Sequence, residues 1–227
     1  MVEIGGKPIL WHIMMLYQSQ GFNDFIVCLG YKQSFIKQYF LDYYYNHSDI
    51  KIDILNNEIK TLKSNKETFN VTLVDTGLNT NTAGRLNRVK EYIGDQTFML
   101  TYGDGLSDID LNKLLEFHLI KKGIGTITSV QTSGKFGTLK INERSKVSNF
   151  IEKPLNESLW INAGFMVFEP SIFKYLEAKD IDNIQFEKGP LVELSNKGKL
   201  NAFKHYGFWK CMDALRDKIE LEELWNK

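Results

Sequence analysis

The sequence predicts an α/β fold, a mostly parallel sheet flanked by helices that becomes mixed toward its carboxyl end. Three observations carry this. Short apolar runs, "FIVCLG" (25–30), "TFMLTYGD" (97–104) and "GTITSVQ" (125–131), have the length of strands covered on both faces. Amphipathic stretches of helical period separate them. From residue 135 the pattern shifts to "GTLKI", "VSNFIE" and "WINAGFMVFEP", short strands that suit an antiparallel extension.

Taken in order, "GGKPILWHIMMLYQSQG" (5–21) places Pro8 where a first helical residue tolerates proline. It spaces Ile9, Ile13, Met14 and Tyr17 along one face and stops at Gly21, so a helix is expected almost from residue one. "YKQSFIKQYFLDYYY" (31–45) reads as a second helix, and "KIDIL" and "NVTLV" as strands separated by a polar, lysine-rich stretch at 56–69. "AGRLNRVKEYIG" and "LNKLLEFHLIKKG" are helical. The last helix, "DALRDKIELEELWNK", is expected to begin at Asp213 and to align Leu215, Ile219, Glu222 and Trp225.

At 227 residues and 43% hydrophobic the chain can bury a substantial core as one domain, 1–227. Lysine plus arginine equal aspartate plus glutamate at 28 each, so no global field favours nucleic acid or an anionic membrane. Cys28 and Cys211 show no metal-ligand spacing, and neither a signal peptide nor a long apolar segment is evident. A cytoplasmic protein with free thiols is expected. His12, His47, His118 and His205 are scattered and read as structural. No P-loop, GxGxxG after a strand, or Ser-His-Asp pattern stands out.

Candidate chemistry concentrates at strand ends. Asp104 follows a buried strand between Gly103 and Gly105, where ligands of open sheets bind, although a turn aspartate capping its own backbone fits as well. Asp108 and Asp110 spell a DxD that could hold a divalent ion, but they precede a helix that acidic side chains would cap, and capping is the favoured reading. Asp213 also precedes a helix, yet it follows the aromatic run "GFWKCM". In "FIEKP" (150–154), Lys153 could meet a phosphate and Glu152 sugar hydroxyls, or the two could form an exposed edge ion pair. Asn162 and Gly164 lie in apolar surroundings where a ligand could satisfy the amide. "TAGRLNRV" (82–89) brings Arg85 to a helix start that could hold a base or phosphate, or be an ordinary capped helix.

Taken together, "MVEIGGKPILWHIM", "NVTLVDTG", "TAGRL", "FMLTYGDG", "FGTLKI", "FIEKP", "WINAGFMV" and "GFWKCMDALRDKIELEELW" resemble the sugar-phosphate nucleotidyltransferases along essentially the whole chain. Within them the likeness is to members that use CTP and glucose 1-phosphate. The resemblance implies a Rossmann-like sheet with residues 1–134 as the nucleotide-binding part and 135–227 as the sugar-phosphate part. It also implies transfer of CMP from CTP to glucose 1-phosphate. Asp104 and Asp213 would bind Mg²⁺, with Lys153 beside them as a catalytic cation on the sugar phosphate. Glu152, Asn162 and Gly164 would line the sugar pocket, and Thr82, Gly84, Arg85 and Gly103 would lie near the nucleotide. A homo-oligomer is expected. Two alternatives are an assembly module of the same fold and a DxD glycosyltransferase using Asp108 and Asp110.

Family members normally open with a strand, a glycine-rich GGxGTR loop and a lysine in a KPKPM-like segment. This sequence starts at what resembles the methionine of that segment. The expectation is a chain missing its first strand, with an apolar gap between "FIVCL" and "FMLTY", poorly soluble or oligomeric and nearly inactive when made alone.

Overall fold

A computed structural model describes residues 2–64, 69–131, 138–141, 147–151 and 159–226, with only the backbone for 64, 138–141 and 147–151. The chain opens on a tiny hairpin, β1 (Glu3–Ile4) and β2 (Lys7–Pro8), turned by Gly5 and Gly6 at positive φ. The first helix, α1 (Ile9–Gln18), therefore starts after Pro8 and not at the chain's beginning. It buries Ile9, Ile13, Met14 and Tyr17, the four positions its periodicity marks. Strand β3 (Asp24–Leu29) follows, then α2 (Gln33–Asn46).

The polar, lysine-rich stretch, which has no expected element of its own, contains a strand: β4 (Ser48–Asp53) pairs antiparallel with β5 (Glu58–Ser64) as a hairpin outside the main sheet. Its lysines carry no buried face, so they hide the alternation that marks a half-covered strand. Next, β6 (Asn70–Asp75) runs parallel to β3, with Asp24 opposite Asn70 and Leu29 opposite Asp75. The helical segment after it is broken at Val89 into α3 (Thr82–Arg88) and α4 (Lys90–Ile93).

The main sheet contains β7 (Phe98–Thr101), β9 (Gly125–Val130), β12 (Ile161–Phe168) and β13 (Leu200–Lys204), in the order β13-β9-β12-β7. β12 is antiparallel to both neighbours and β13 parallel to β9, so the sheet is mixed. Between these strands come β8 (Gly105–Ser107), α5 (Leu111–Lys121), the pair β10 (Thr138–Ile141) and β11 (Val147–Ile151), α6 (Pro190–Asn196), β14 (Trp209–Cys211) and α7 (Leu215–Trp225). Helix α7 begins two residues later than expected. Its one buried side chain is Leu221, whereas Leu215, Ile219 and Trp225 are exposed.

Alternation along β12 divides the interior. Phe165 and Val167 join Ile9, Ile13, Leu111 and Leu114 on one face, while Met166 and Phe168 join Leu86, Phe173, Leu191 and Leu194 on the other. Burial on both faces explains why this strand reads as a continuous apolar run.

Between β3 and β7 the sheet is interrupted. Among the described residues β3 bonds only to β6 and β7 only to β12. The space between them is a cavity of about 690 Å³ walled by Phe25–Cys28 on one side and Phe98–Thr101 on the other, with Ile13, Met14 and Tyr17 of α1 and Leu86 of α3 closing it. The apolar gap expected between "FIVCL" and "FMLTY" is present.

Candidate active site

The site forms where the chain leaves β7. Residues 102–104 carry it out of the sheet, and β8 then pairs antiparallel with β14, setting Cys211 opposite Gly105 and Trp209 opposite Ser107. Met212 donates its N–H to the Asp104 carbonyl at 2.8 Å, and Trp209 Nε1 donates to the Ala163 carbonyl at 2.8 Å. This ladder brings together residues more than a hundred positions apart. One oxygen of Asp104, one of Asp213 and the Cys211 sulfur all lie within 4.8 Å of one another. Cys211 and Asp213 are two apart on an extended run, so their side chains leave the backbone on the same side.

Charge and burial shape this cluster. Burial first, and the neighbouring Asp213 charge second, push the Asp104 carboxyl above the usual carboxylate range. The Cys211 thiol is pushed up to about 12, chiefly by burial, then by its hydrogen bond to Asp213 and by the surrounding carboxylates. Its Sγ donates to Asp213 Oδ1 at 3.2 Å. The Asp217 carboxylate accepts from the N–H groups of Asp213 and Ala214 at 3.1 and 2.9 Å, so Asp217 caps α7 and leaves the Asp213 carboxylate facing the cluster. Two converging carboxylates that repel each other are a donor set suited to a hard divalent cation such as Mg²⁺.

The DxD pair behaves differently. Asp110 caps α5, accepting from Lys113 N–H at 2.9 Å, whereas Asp108 lies 3.0 Å from His205 Nε2. Asp110 follows the capping expectation. Asp108 does not turn to the helix start but meets the His205 ring across the β8–β14 corner. The two carboxylates do not converge.

Gly103 and Gly105 are not needed for a left-handed turn, since neither has a positive φ. A Cβ on Gly103 would meet open space, so what its hydrogen leaves free is room beside the β7 terminus. Gly164 contrasts with it. Its φ is +80°, and a Cβ there would lie 2.7 Å from the Tyr102 ring. The backbone bulges between Asn162 and Met166, held by Gly164 N–H donating to Asn162 Oδ1 at 2.9 Å.

At the α3 start, Thr82 Oγ1 donates to Glu187 at 3.1 Å and accepts from Phe186 N–H at 2.7 Å. Gly84 lets α3 pack on Asp182, where a Cβ would approach to 2.6 Å. Arg85 donates to the Leu29 carbonyl at 3.0 Å and to Thr76 Oγ1 at 2.8 Å, tying the ends of β3 and β6 beside the slot. Glu152 and Lys153 lie outside the described residues. Glu187 escaped sequence reasoning: it accepts from the Tyr102 hydroxyl as well as from Thr82, joining the β7 terminus to α3. Its only sequence signal is an acidic residue after an apolar Phe186, which many exposed loops share.

The nucleotidyl transferase family profile matches residues 1–210. A glucose-1-phosphate cytidylyltransferase of Salmonella typhi is 45% identical over 100% of this chain and 87% of its own length. The chain belongs to the nucleotidyl transferase family. A probable glucose-1-phosphate cytidylyltransferase of Bacillus subtilis is 44% identical to this nucleotidyltransferase over 99% of the chain and 86% of the relative. Among solved structures, HddC from Yersinia pseudotuberculosis superposes with a TM-score of 0.67 at 20% identity, over 99% of this chain and 88% of that one, a likeness of fold. The α/β class and mixed sheet agree with this membership. No helix among the described residues is long and apolar enough to cross a membrane.

Proposed function

We propose that this nucleotidyltransferase transfers CMP from CTP to glucose 1-phosphate, releasing pyrophosphate and forming CDP-glucose. The observation that carries the reading is the convergence of Asp104 and Asp213 at the β7 terminus, in a chain 45% identical to a glucose-1-phosphate cytidylyltransferase. An oxygen of the sugar phosphate attacks the α-phosphorus of CTP. The bond from that phosphorus to the β-phosphate oxygen breaks, and pyrophosphate leaves with the electron pair.

The attacking oxygen is already anionic, so the protein needs no strong base and must align two anions that repel each other. Asp104 and Asp213 would hold Mg²⁺, which when bound offsets charge between the reacting phosphates. Gly103 leaves room for the nucleotide next to Asp104, with Thr82 and Arg85 across the slot, while Gly84 serves that helix by letting it pack on Asp182. Asn162 and Gly164 shape the opposite wall, where Glu152 and Lys153 are assigned to the sugar and its phosphate. We assign the protein to the cytoplasm, in keeping with CTP and a sugar phosphate as its substrates.

We further assign a homo-oligomer, supported by the β4–β5 hairpin and α2. Ile54 and Leu55 at the hairpin turn are 84% and 90% exposed, and Leu62 of β5, Tyr31 just before α2 and Phe35 of α2 are uncovered as well.

Pyrophosphate release by the full chain with glucose 1-phosphate, compared across CTP, UTP, GTP and ATP, tests the assignment. Turnover with CTP in clear excess over the others is expected. Faster turnover with another nucleotide would overturn the CTP assignment. Metal and sugar-phosphate binding without turnover on any nucleotide would favour the assembly module.

A further inference from the structure

We propose that Cys211 joins Asp104 and Asp213 in a mixed sulfur–oxygen site that takes a thiophilic divalent ion, Zn²⁺ above all, and that this ion displaces the hard one and blocks the enzyme. The inference rests on Asp104 and Asp213 being the metal-holding pair. It adds a ligand that a Mg²⁺ site does not call for.

The geometry supplies the argument. The three donor atoms already lie within 4.8 Å of one another, and the sulfur faces the ligand oxygens, 3.2 Å from Asp213 Oδ1. The β8–β14 ladder fixes Cys211 opposite Gly105, and the Met212 N–H to Asp104 carbonyl bond fixes the next step, so the sulfur's position comes from backbone pairing. Cys211 is only half-buried, and no disulfide engages it.

Mg²⁺ prefers oxygen and keeps its waters, so sulfur stays outside its shell. Zn²⁺ favours four ligands including thiolate, and two carboxylates with one sulfur leave one open position. Four-coordination leaves few places for phosphate oxygens. The later members of the divalent series also bind such donor sets more tightly than Mn²⁺ does. Binding is balanced by loss of one proton: the thiol S–H breaks, the sulfur electron pair forms the bond to zinc, and the proton goes to solvent.

The test titrates the full chain with Co²⁺ as the spectroscopic substitute for Zn²⁺, and with Mn²⁺ followed by electron paramagnetic resonance. Wild-type protein should develop sulfur-to-cobalt charge-transfer absorption that excess Zn²⁺ abolishes. Cys211→Ser should lose that absorption and weaken Zn²⁺ by more than an order of magnitude, with a far smaller change for Mn²⁺. In the unaltered protein Zn²⁺, and not Mg²⁺, should protect Cys211 from a thiol reagent, read by mass spectrometry of the peptide and compared with Cys28. Binding of Co²⁺ and Mn²⁺ without the absorption, or absorption that survives Cys211→Ser, would overturn the proposal and leave the carboxylate pair standing. Failure of wild-type protein to bind any of these ions would overturn both.

Discussion

The two edges of β7 differ, and the difference organises the molecule. One edge is paired with β12 from Phe98 to Thr101, inside a four-stranded sheet with packed side chains on both faces. The other faces a cavity of about 690 Å³ and has no strand beside it among the described residues. Asp104 leaves the same strand, but the β8–β14 ladder holds it to the paired side. The Asp104–Asp213 cluster and the bulge at Asn162–Gly164 are therefore held in place by hydrogen bonds to the backbone. The start of α3, with Arg85 tied to Leu29 and Thr76, borders the slot.

Filling the slot should produce the largest change. An apolar five-residue strand joined to the amino end through a glycine-rich loop would give β3 and β7 a common neighbour. Each fully buried Val or Ile should contribute about 1.5–3 kcal/mol. The protein with the slot filled should unfold at higher temperature and bind less hydrophobic dye than the protein with the slot open. Unchanged unfolding and dye binding would show that the slot closes in solution and that the two edges are not as different as described.

Truncations on the two sides of β7 sharpen the contrast. Phe168, 0% exposed and packed between Phe98 and Phe186, should cost about 3–5 kcal/mol as Phe168→Ala in chemical denaturation. Val27 already borders empty space, so Val27→Ala should cost under about 1 kcal/mol, less than a packed methyl-group deletion. Equal losses would contradict an open slot.

How much of this was legible depends on whether the signal was local. Apolar runs revealed β3, β7, β9 and β12 because both faces of each are covered, and α1 showed its buried face residue by residue. β5 was hidden because its hairpin stands off the main sheet and keeps lysines. The aligned set on α7 is met only in part: Glu222 accepts from Gly5 N–H and Trp225 packs edge-on against His12, while Leu215 and Ile219 stay exposed and Leu221, off that line, is buried. At the site, Asp104 and Asp213 each stood out singly from their surroundings in the chain, but their pairing came only through resemblance to a family, since their meeting depends on a ladder between β8 and β14. Glu187 contacts partners 85 and 105 residues away, and nothing near it in the chain announces them. Cys211 could be read as a thiol but not as a neighbour of two carboxylates.

Glycines probe the site with smaller effects. Gly164→Ala should destabilise by about 1–3 kcal/mol, because an L-residue is strained at φ +80° and its Cβ would strike Tyr102. Gly103→Ala should leave thermal stability unchanged and lower turnover, since its Cβ enters open space needed by substrate. A stability loss at Gly103 with normal turnover would remove it from the binding wall.

A smaller change still is expected for the metal-free protein. The Asp104 carboxyl sits above the usual carboxylate range, so its ionised form is less stable in the folded state than in the unfolded one. That cost is complete above the raised value and disappears below the ordinary one. Asp104→Asn should therefore raise the unfolding temperature slightly at neutral pH without metal, with the gain fading on acidification. A lower unfolding temperature at neutral pH would mean that the carboxylate is stabilised by a partner.

The central claim is that Asp104 and Asp213 form one divalent-ion site on the paired side of β7. Equilibrium Mn²⁺ binding to the full chain, followed by electron paramagnetic resonance, tests it most directly. The account predicts a bound ion that Mg²⁺ displaces in the wild-type protein, and loss of that binding in both Asp104→Asn and Asp213→Asn while circular dichroism stays the same. Undiminished Mn²⁺ binding by either folded variant would contradict it.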